Sequence, residues 1–520
     1  MMELVERITT HLGHYRYWVV VTLILILAVI LRFFMISEQS LWIDEGWSLF
    51  FSDGLTLGEN LTRVIYSNTN DKFQSLYFVL LYFWRHGLGD SEWSLRALSA
   101  IFGIGAVVFL FLSSLQVYGK RHALWSLIIG SCSSFAVYYS QEVRTYSFLL
   151  FLASLQIYLF FRSINGGGSG NPHKAKVLFV ICTIIGFMSS IFLIVFTVSL
   201  SGAHLLAYRK LRNWKKFWLP VFLFTAPITI FYCFALAITP PSMTPYHRSS
   251  EPIFYNLVFV LYSLTVGQTY GPSVEILHYG GKSQVLMESW PKLLILAGLG
   301  VTMLLLFLRT MKKGAGKDYR SVDYFLVLNF AIGCILSIIF AFVSKINWLP
   351  RHSCFLFVPM AMLIPITARE IPNSKPRFKN LGGIVICLLI FLNLFSLNNY
   401  FFSNEHRRDD YRSVADYLKS EVSSRAVLLW GLPDLFKYYG AVNLLDGRGL
   451  PKDDLDRGIQ EITSGAQRII IVINREFYWG EPHLLQELLK ASYQLESERK
   501  YPYFHLYTFL KRDNPNYRKD

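Results

Sequence analysis

The sequence predicts a polytopic α-helical membrane protein of about eleven spans with a soluble α/β domain at its C-terminal end. Three observations carry this expectation: an apolar composition, apolar stretches that recur near the length of a span, and basic clusters confined to alternate loops. Of the 520 residues 53% are hydrophobic and only 16% charged, with a mean hydropathy of +0.36, too apolar for a soluble enzyme of this size. The formal charge of +15 does not point to nucleic acid, because Lys and Arg sit in short clusters between apolar runs, as in cytoplasmic loops. Each of the six cysteines (Cys132, Cys182, Cys233, Cys334, Cys354 and Cys387) lies inside an apolar run without a CxxC pair. Neither disulfides nor zinc–thiolate sites are therefore expected.

A helix crosses a bilayer with about 20 apolar residues. Stretches near that length run Tyr17–Ile36, Arg96–Val117, Ala123–Tyr139, Ser147–Phe161, Phe217–Ile238, Lys292–Leu308, Ser321–Val343, Leu349–Thr367 and Leu381–Phe402. The first is too long for a signal-peptide core and no small-residue cleavage site follows it, so it is expected to be retained. The run Val177–Tyr208 is too long for one span and contains Gly186 and Ser189-Ser190, which predicts two spans joined by a tight outer turn. Two apolar segments, Ser75–Trp84 and Ile253–Val266, reach only about 10–14 residues and suit re-entrant or interfacial helices.

With the N-terminus cytoplasmic, this assignment gathers Lys120-Arg121, Arg162 with Lys174 and Lys176, and the basic clusters of 209–216, 309–320 and 369–379 on one side. The opposite loops hold Glu38, Asp44, Glu45, Asp53, Glu59, Asp71, Asp90, Glu92, Glu142, Glu251, Glu275 and Glu288 with few cations. Counting either short segment alone as a span breaks this alternation. An odd number of spans puts the polar C-terminal part outside the cytoplasm. The expected organisation is a transmembrane domain over 1–402, including an outer loop 37–95 with juxtamembrane helices, and an extracytoplasmic α/β domain over 403–520. In the latter, periodicity predicts helices at Asp409–Ser420, after Pro433-Asp434 and at Pro482–Ala491, with strands at Ala426–Trp430, Arg468–Asn474 and near Tyr501–Leu510. No phosphate-cradling glycine loop and no internal repeat is evident, and the one low-complexity patch, Asn165–Asn171, reads as a flexible cytoplasmic loop.

Two acidic points stand out. Leu41-Trp42-Ile43-Asp44-Glu45-Gly46-Trp47 sets two adjacent carboxylates between tryptophans close to the first span. They fit a general base at the water–lipid boundary, where crowding and partial desolvation raise one carboxylate, or an ordinary solvated loop with interfacial Trp anchors. Glu142 follows the third span in Tyr138-Tyr139-Ser140-Gln141-Glu142-Val143-Arg144-Thr145-Tyr146. There Arg144 is suited to grip a lipid phosphate with Glu142 orienting it, or the two form a local ion pair at the interface.

The order of these elements resembles the GT-C class of membrane glycosyltransferases, and in particular the protein O-mannosyltransferases and lipid A aminoarabinose transferases of glycosyltransferase family 39 and its bacterial relatives. The matching stretches are LWIDEGWS (41–48), SLYFVLLYFW (75–84), GDSEWSLRALSAIFG (89–103), YYSQEVRTYS (138–147) and DDYRSVADYL (409–418). The resemblance implies that Asp44 is the base taking the acceptor proton, that Glu45 supports it, and that Glu142 is a second important carboxylate. It implies a polyprenyl-phosphate-linked sugar as donor, an extracytoplasmic glycan, lipid or protein as acceptor, the bilayer as the third partner, and inversion by direct displacement. Such a reaction needs cationic or amide contacts for the departing lipid phosphate. Lys72, Arg96, Arg144, Tyr146, Arg351 and His352 are the candidates for donor phosphate or substrate binding, with Lys345 as an interfacial anchor. His352 stands where Tyr is more usual, and Asp71–Ser75 lacks the proline that relatives carry before the short outer helix. No nucleotide is implied and no metal ligands are assigned, while a divalent cation, used by some GT-C enzymes, stays open as a cofactor.

Two other classes compete. A flippase or transporter of lipid-linked sugars would place ionisable groups near the bilayer midplane and often shows repeated halves. A recruiting membrane protein would use the outer domain to bind a partner.

Overall fold

The computed structural model describes residues 14–67, 70–164, 171–238, 253–273, 282–313, 317–344, 348–369, 380–421, 425–442, 444–446, 468–475 and 493–511. Lys345, the expected helix Pro482–Ala491 and the patch Asn165–Asn171, except Asn171 itself, lie outside them. Among the described residues ten helices are long and apolar enough to cross a membrane, and an eleventh span is formed if the bent pair Lys120–Cys132 and Ser134–Ser140 is counted as one. The chain is thus an integral membrane protein of the expected helical class. Its residues divide into two compact units: Met1–Ile36 with Gly54–Ser273 and Lys282–Phe402, and Ser37–Asp53 with Val274–Gly281 and Ser403–Asp520.

In the first unit the helices begin and end where local chemistry dictates. Gly119, at φ +82°, closes Glu92–Tyr118 with its N–H on Leu115 and opens the next helix through its own carbonyl, a conformation that favours glycine. The long apolar run divides at the serine pair into Pro172–Ser189 and Ile191–Tyr208. Ser190 is extended there, and its hydroxyl accepts from Phe192 N–H. The short segments form the helices Ser75–Leu88 and Ile253–Val266, each of 14 residues, below the length of a full span.

Two spans depart from plain α-helix. The third bends by 53° at Ser133, whose hydroxyl caps the second piece through Ala136 N–H. A break frees carbonyls that water cannot reach. The guanidinium of Arg32, fully buried, donates to Gly130 O at 3.1 Å and Ser131 O at 3.4 Å, while Asn393 Oδ1 accepts from Ser134 N–H at 3.0 Å. The span Pro350–Ala368 is built from 3₁₀ turns at Pro350–Leu356 and Ile364–Ala368 around a central α-helix, Phe357–Leu363. Because 3₁₀ structure rises about 2.0 Å per residue against 1.5 Å, these turns lengthen the segment relative to an α-helix, while the backbone kinks at Ser353.

The second unit holds a five-stranded mixed sheet made of β1 (Arg425–Trp430), β2 (Leu444–Asp446), β3 (Arg468–Asn474), β4 (Tyr493–Tyr501) and β5 (Phe504–Lys511), in the order β2-β1-β3-β5-β4. β1 runs parallel to β2 and β3, whereas β5 is antiparallel to β3 and β4. The central strand carries the buried run Ile469–Ile473, which reads as continuous rather than alternating because both faces are covered. Helix Tyr411–Ser420, capped by the Asp410 carboxylate on Ser413 N–H, turns Tyr411, Val414, Ala415 and Leu418 into this core. Sequence patterning missed β2, which is only three residues long, and β4, whose Tyr-Gln-Leu-Glu-Ser-Glu-Arg-Lys-Tyr is mostly exposed and reads as charged loop. Those charges suit an edge strand.

Candidate active site

In the first unit, the candidate residues cluster where the bent span turns into helix Tyr146–Ile164. Gln141, Glu142, Val143, Arg144 and Thr145 are all buried. Gln141 Nε2 donates to the carbonyls of Leu31, Arg32 and Phe34 at 3.3, 3.1 and 2.8 Å, capping the end of the first span. Arg144 N–H folds back onto Glu142 O at 2.7 Å, Ser99 Oγ donates to Arg144 O at 3.4 Å, and Thr145 Oγ1 to Ser189 O at 3.2 Å. Glu142, 1% exposed, is therefore held by a backbone that has no freedom to swing. Arg144 Nη2 lies 2.8 Å from Asp71 Oδ1, and its guanidinium sits 5.9 Å from the Tyr146 ring centroid. Asp71, 73 residues away, is thus an ion-pair partner of Arg144 that the local sequence did not suggest.

Beside this cluster lies a small cleft with about 50 Å³ of free space. Its apolar walls are Phe73, Tyr146, Leu149, Ile191, Phe192 and Phe340, and its polar groups come from Gln74, Thr145, Ser190, Arg351 and His352. Few polar groups on an apolar surface are what an amphiphilic ligand requires. The His352 ring stacks on Phe192 at 4.9 Å and 13°, and its Nδ1 accepts from Leu349 N–H at 3.3 Å. The neutral ring then carries its proton on Nε2, as a hydrogen-bond donor. Glu142 and Arg351 both act electrostatically on Tyr139, which also accepts from Gln268 Nε2.

Three expected contacts, Arg144, Arg96 and Lys72, do not line the cleft. Arg96, 1% exposed, donates to Ile36 O at 2.9 Å, an anchor for the end of the first span. Lys72 does not line the cleft; partial burial pushes its ammonium below the usual lysine value.

The paired acids Asp44 and Glu45 belong to the second unit, on helix Ile43–Phe50. Neighbours in sequence, they have different surroundings. Glu45 is fully buried: one oxygen accepts from Trp42 N–H at 3.2 Å and the other faces Arg408 Nη1 at 3.5 Å. Asp44 is half-buried. The helix start is tied to the outer domain by Asp409, whose Oδ2 accepts from Ile43 N–H at 3.4 Å and whose Oδ1 lies 2.9 Å from Arg475 Nε. Arg475 also covers the Trp42 ring at 5.3 Å and the Tyr503 ring at 5.0 Å. Burial pushes the Asp409 carboxyl above the usual range, with Asp44 adding to the rise and Arg475 and the Ile43 N–H opposing it.

Sequence reasoning did not single out Arg408, Arg475 or the pairing of Asp71. Asp409 was visible as the start of DDYRSVADYL, but nothing local assigns it a role. Among the described residues no group of three or more His, Cys, Asp or Glu side chains is placed to hold a metal ion.

Comparison with known proteins places these features. A family model described as dolichyl-phosphate-mannose-protein mannosyltransferase matches residues 77–235, a stretch that contains Glu142, Arg144 and Tyr146 and leaves out Asp44 and Glu45. No curated protein sequence matches the chain. Among solved structures, ArnT from Cupriavidus metallidurans in the apo state shares 12% identity at a TM-score of 0.57, over 95% of this chain and 98% of that one. The same protein bound to undecaprenyl phosphate gives 12% and 0.57 over 94% and 98%. The archaeal oligosaccharyltransferase AglB from Archaeoglobus fulgidus, in complex with an inhibitory peptide and a dolichol-phosphate, gives 10% identity and a TM-score of 0.46 over 89% and 70%. The resemblance read from the sequence is borne out: the chain has the GT-C-type membrane fold of ArnT and, over residues 77–235, is similar to the dolichyl-phosphate-mannose-protein mannosyltransferases.

Proposed function

We propose that this protein is a membrane glycosyltransferase that moves a sugar from a polyprenyl-phosphate donor to an extracytoplasmic acceptor by inverting displacement. The description of the matched family names a lipid-phosphate sugar, and the solved ArnT was captured with undecaprenyl phosphate. The observation that carries the reading is the division between Asp44 and Glu45. Glu45 is buried and committed to Arg408 and to its own helix cap, so it supports the fold of the turn, whereas Asp44 keeps access to solvent on the same turn. A base must reach an acceptor hydroxyl, and Asp44 is the member of the pair able to do so.

Arg351 and Arg144 are assigned to the departing phosphate, whose charge grows as the glycosidic bond breaks. The Nε2 donor of His352 is assigned to a phosphate or sugar oxygen, and the aromatic walls of the cleft to apolar parts of the donor. Glu142, buried on the same turn as Arg144, is assigned to orienting that cation. The N-terminus is placed in the cytoplasm and residues 403–520 outside it, following the one-sided basic clusters. Replacing Asp44 with Asn keeps the shape and removes the base. Transfer measured in membranes, with insertion verified, is expected to fall about 10²–10⁴-fold; unchanged turnover defeats the assignment.

A further inference from the structure

Within the second unit, the C-terminal residues grip the helix on which Asp44 sits. Three observations converge on helix Ile43–Phe50, all within the second unit. First, the seam tolerates no side chain at its centre: a Cβ on Gly46 would lie 2.5 Å from a Leu432 methyl carbon and 2.6 Å from Leu435 Cγ. Second, the start of the helix hangs on Asp409, which is fully buried and accepts from Ile43 N–H while Arg475 Nε holds its other oxygen. Ser40 Oγ donates to Asp409 O at 2.6 Å, and Leu41 N–H donates to Tyr439 Oη at 2.7 Å.

Third, the cation that organises this seam is held in an unfavourable backbone. Arg475 has φ +48° and Tyr503 φ +61°, a region that non-glycine residues avoid. The two are joined by Arg475 N–H on Tyr503 O at 2.7 Å, and the guanidinium lies between the Trp42 and Tyr503 rings. Such strain persists only where surrounding contacts over-determine it, and here those contacts converge on the turn beside Asp44.

We propose that Asp409, Arg475 and the close packing against Gly46 position Asp44, so that residues 403–520 set the aim of the base. This rests on the glycosyltransferase reading of Asp44. Acting through geometry, these residues change how well Asp44 is presented, not whether the sheet folds.

The test uses the full chain and two readouts: hydrogen exchange of the purified protein, and restoration of the envelope sugar that cells lose when the chain is deleted. Gly46→Ala is expected to speed exchange over 43–50 about tenfold and to lower restored sugar at least tenfold, with exchange over 468–474 unchanged. Adding Leu435→Ala to Gly46→Ala removes the Leu435 contacts and leaves only the flexible end of Leu432 close to the new Cβ, and is expected to recover part of both. A role confined to the stability of the domain predicts instead that Gly46→Ala speeds exchange over 468–474 as much as over 43–50. Arg475→Lys, which keeps the charge over Trp42 and Tyr503, is expected to retain more sugar than Arg475→Met, and this arm stands if Gly46→Ala fails to accumulate. Wild-type sugar in Gly46→Ala and Arg475→Met, while Asp44→Asn abolishes it, overturns the positioning role. Wild-type sugar in Asp44→Asn instead overturns the glycosyltransferase reading beneath it.

Discussion

Asp71 and Arg144 illustrate how a residue in this protein acquires its role from a partner far away in the chain. Each side chain is close to fully covered, at 12% and 8% exposure, and they meet at 2.8 Å. Burying both charges costs solvation that only the partner and neighbouring donors recover. Removing one charge is therefore worse than removing both. Asp71→Asn is expected to lower stability by about 3–5 kcal/mol, and the double variant Asp71→Asn with Arg144→Gln by distinctly less; thermal unfolding of the detergent-purified chain checks the order. Asp409 gives a pH signature. Its folded carboxyl titrates above the usual value of about 3.9, facing Arg475, Asp44 and the Ile43 N–H. A raised folded value means that the neutral form contributes stability fully below the unfolded value, and that this contribution is lost as pH rises through the folded one. Unfolding midpoints measured from about pH 3.5 upward are expected to show that decline in the native chain and to show it flattened in Asp409→Asn.

At the scale of elements, the irregular pieces carry the candidate site residues. The bend at Ser133 delivers Gln141 and Glu142 to the end of the first span, and it persists because Arg32 and Asn393 satisfy backbone groups that the break exposes. An unpaired buried carbonyl costs about 1–3 kcal/mol, and Arg32 serves two of them at the break as well as Ala28 O. Arg32→Leu is accordingly expected to destabilise the chain by about 2–5 kcal/mol, seen as a lower thermal midpoint and reduced yield. The first-span helix and the split of 172–208 were legible because length, periodicity and a serine pair are local signals. The 53° bend was not, since Ser131-Cys132-Ser133 carries neither proline nor a charge and what stabilises the break comes from residues about 100 and 260 positions away.

On the scale of the whole molecule, the second unit is discontinuous: it takes Ser37–Asp53 from the front of the chain together with Ser403–Asp520. The loop carrying Asp44 thus belongs to the same body as the C-terminal sheet. Leu55, 90% exposed in the loop that follows, offers a reporter of the side on which that loop lies. A cysteine at Leu55 is expected to react with an impermeant maleimide added to intact cells, whereas one at Lys210 is expected to react only after permeabilisation. The reverse pattern inverts the topology and with it the side on which the proposed transfer occurs.

The sequence by itself determined the membrane class, the number and approximate limits of the spans, the two short apolar helices and the main strand β3, because each follows from hydrophobic length or period read over neighbouring residues. It also singled out Asp44, Glu45, Glu142 and Arg144 as unusual by their charge in an apolar setting. Only the tertiary structure decided which distant groups meet these residues and their turn: Arg408 at Glu45, Asp71 at Arg144, and Asp409 at the Ile43 N–H, 366 positions away. Ion pairs and hydrogen bonds are set by proximity in space, and a chain's local pattern holds no record of which distant segment will arrive beside it.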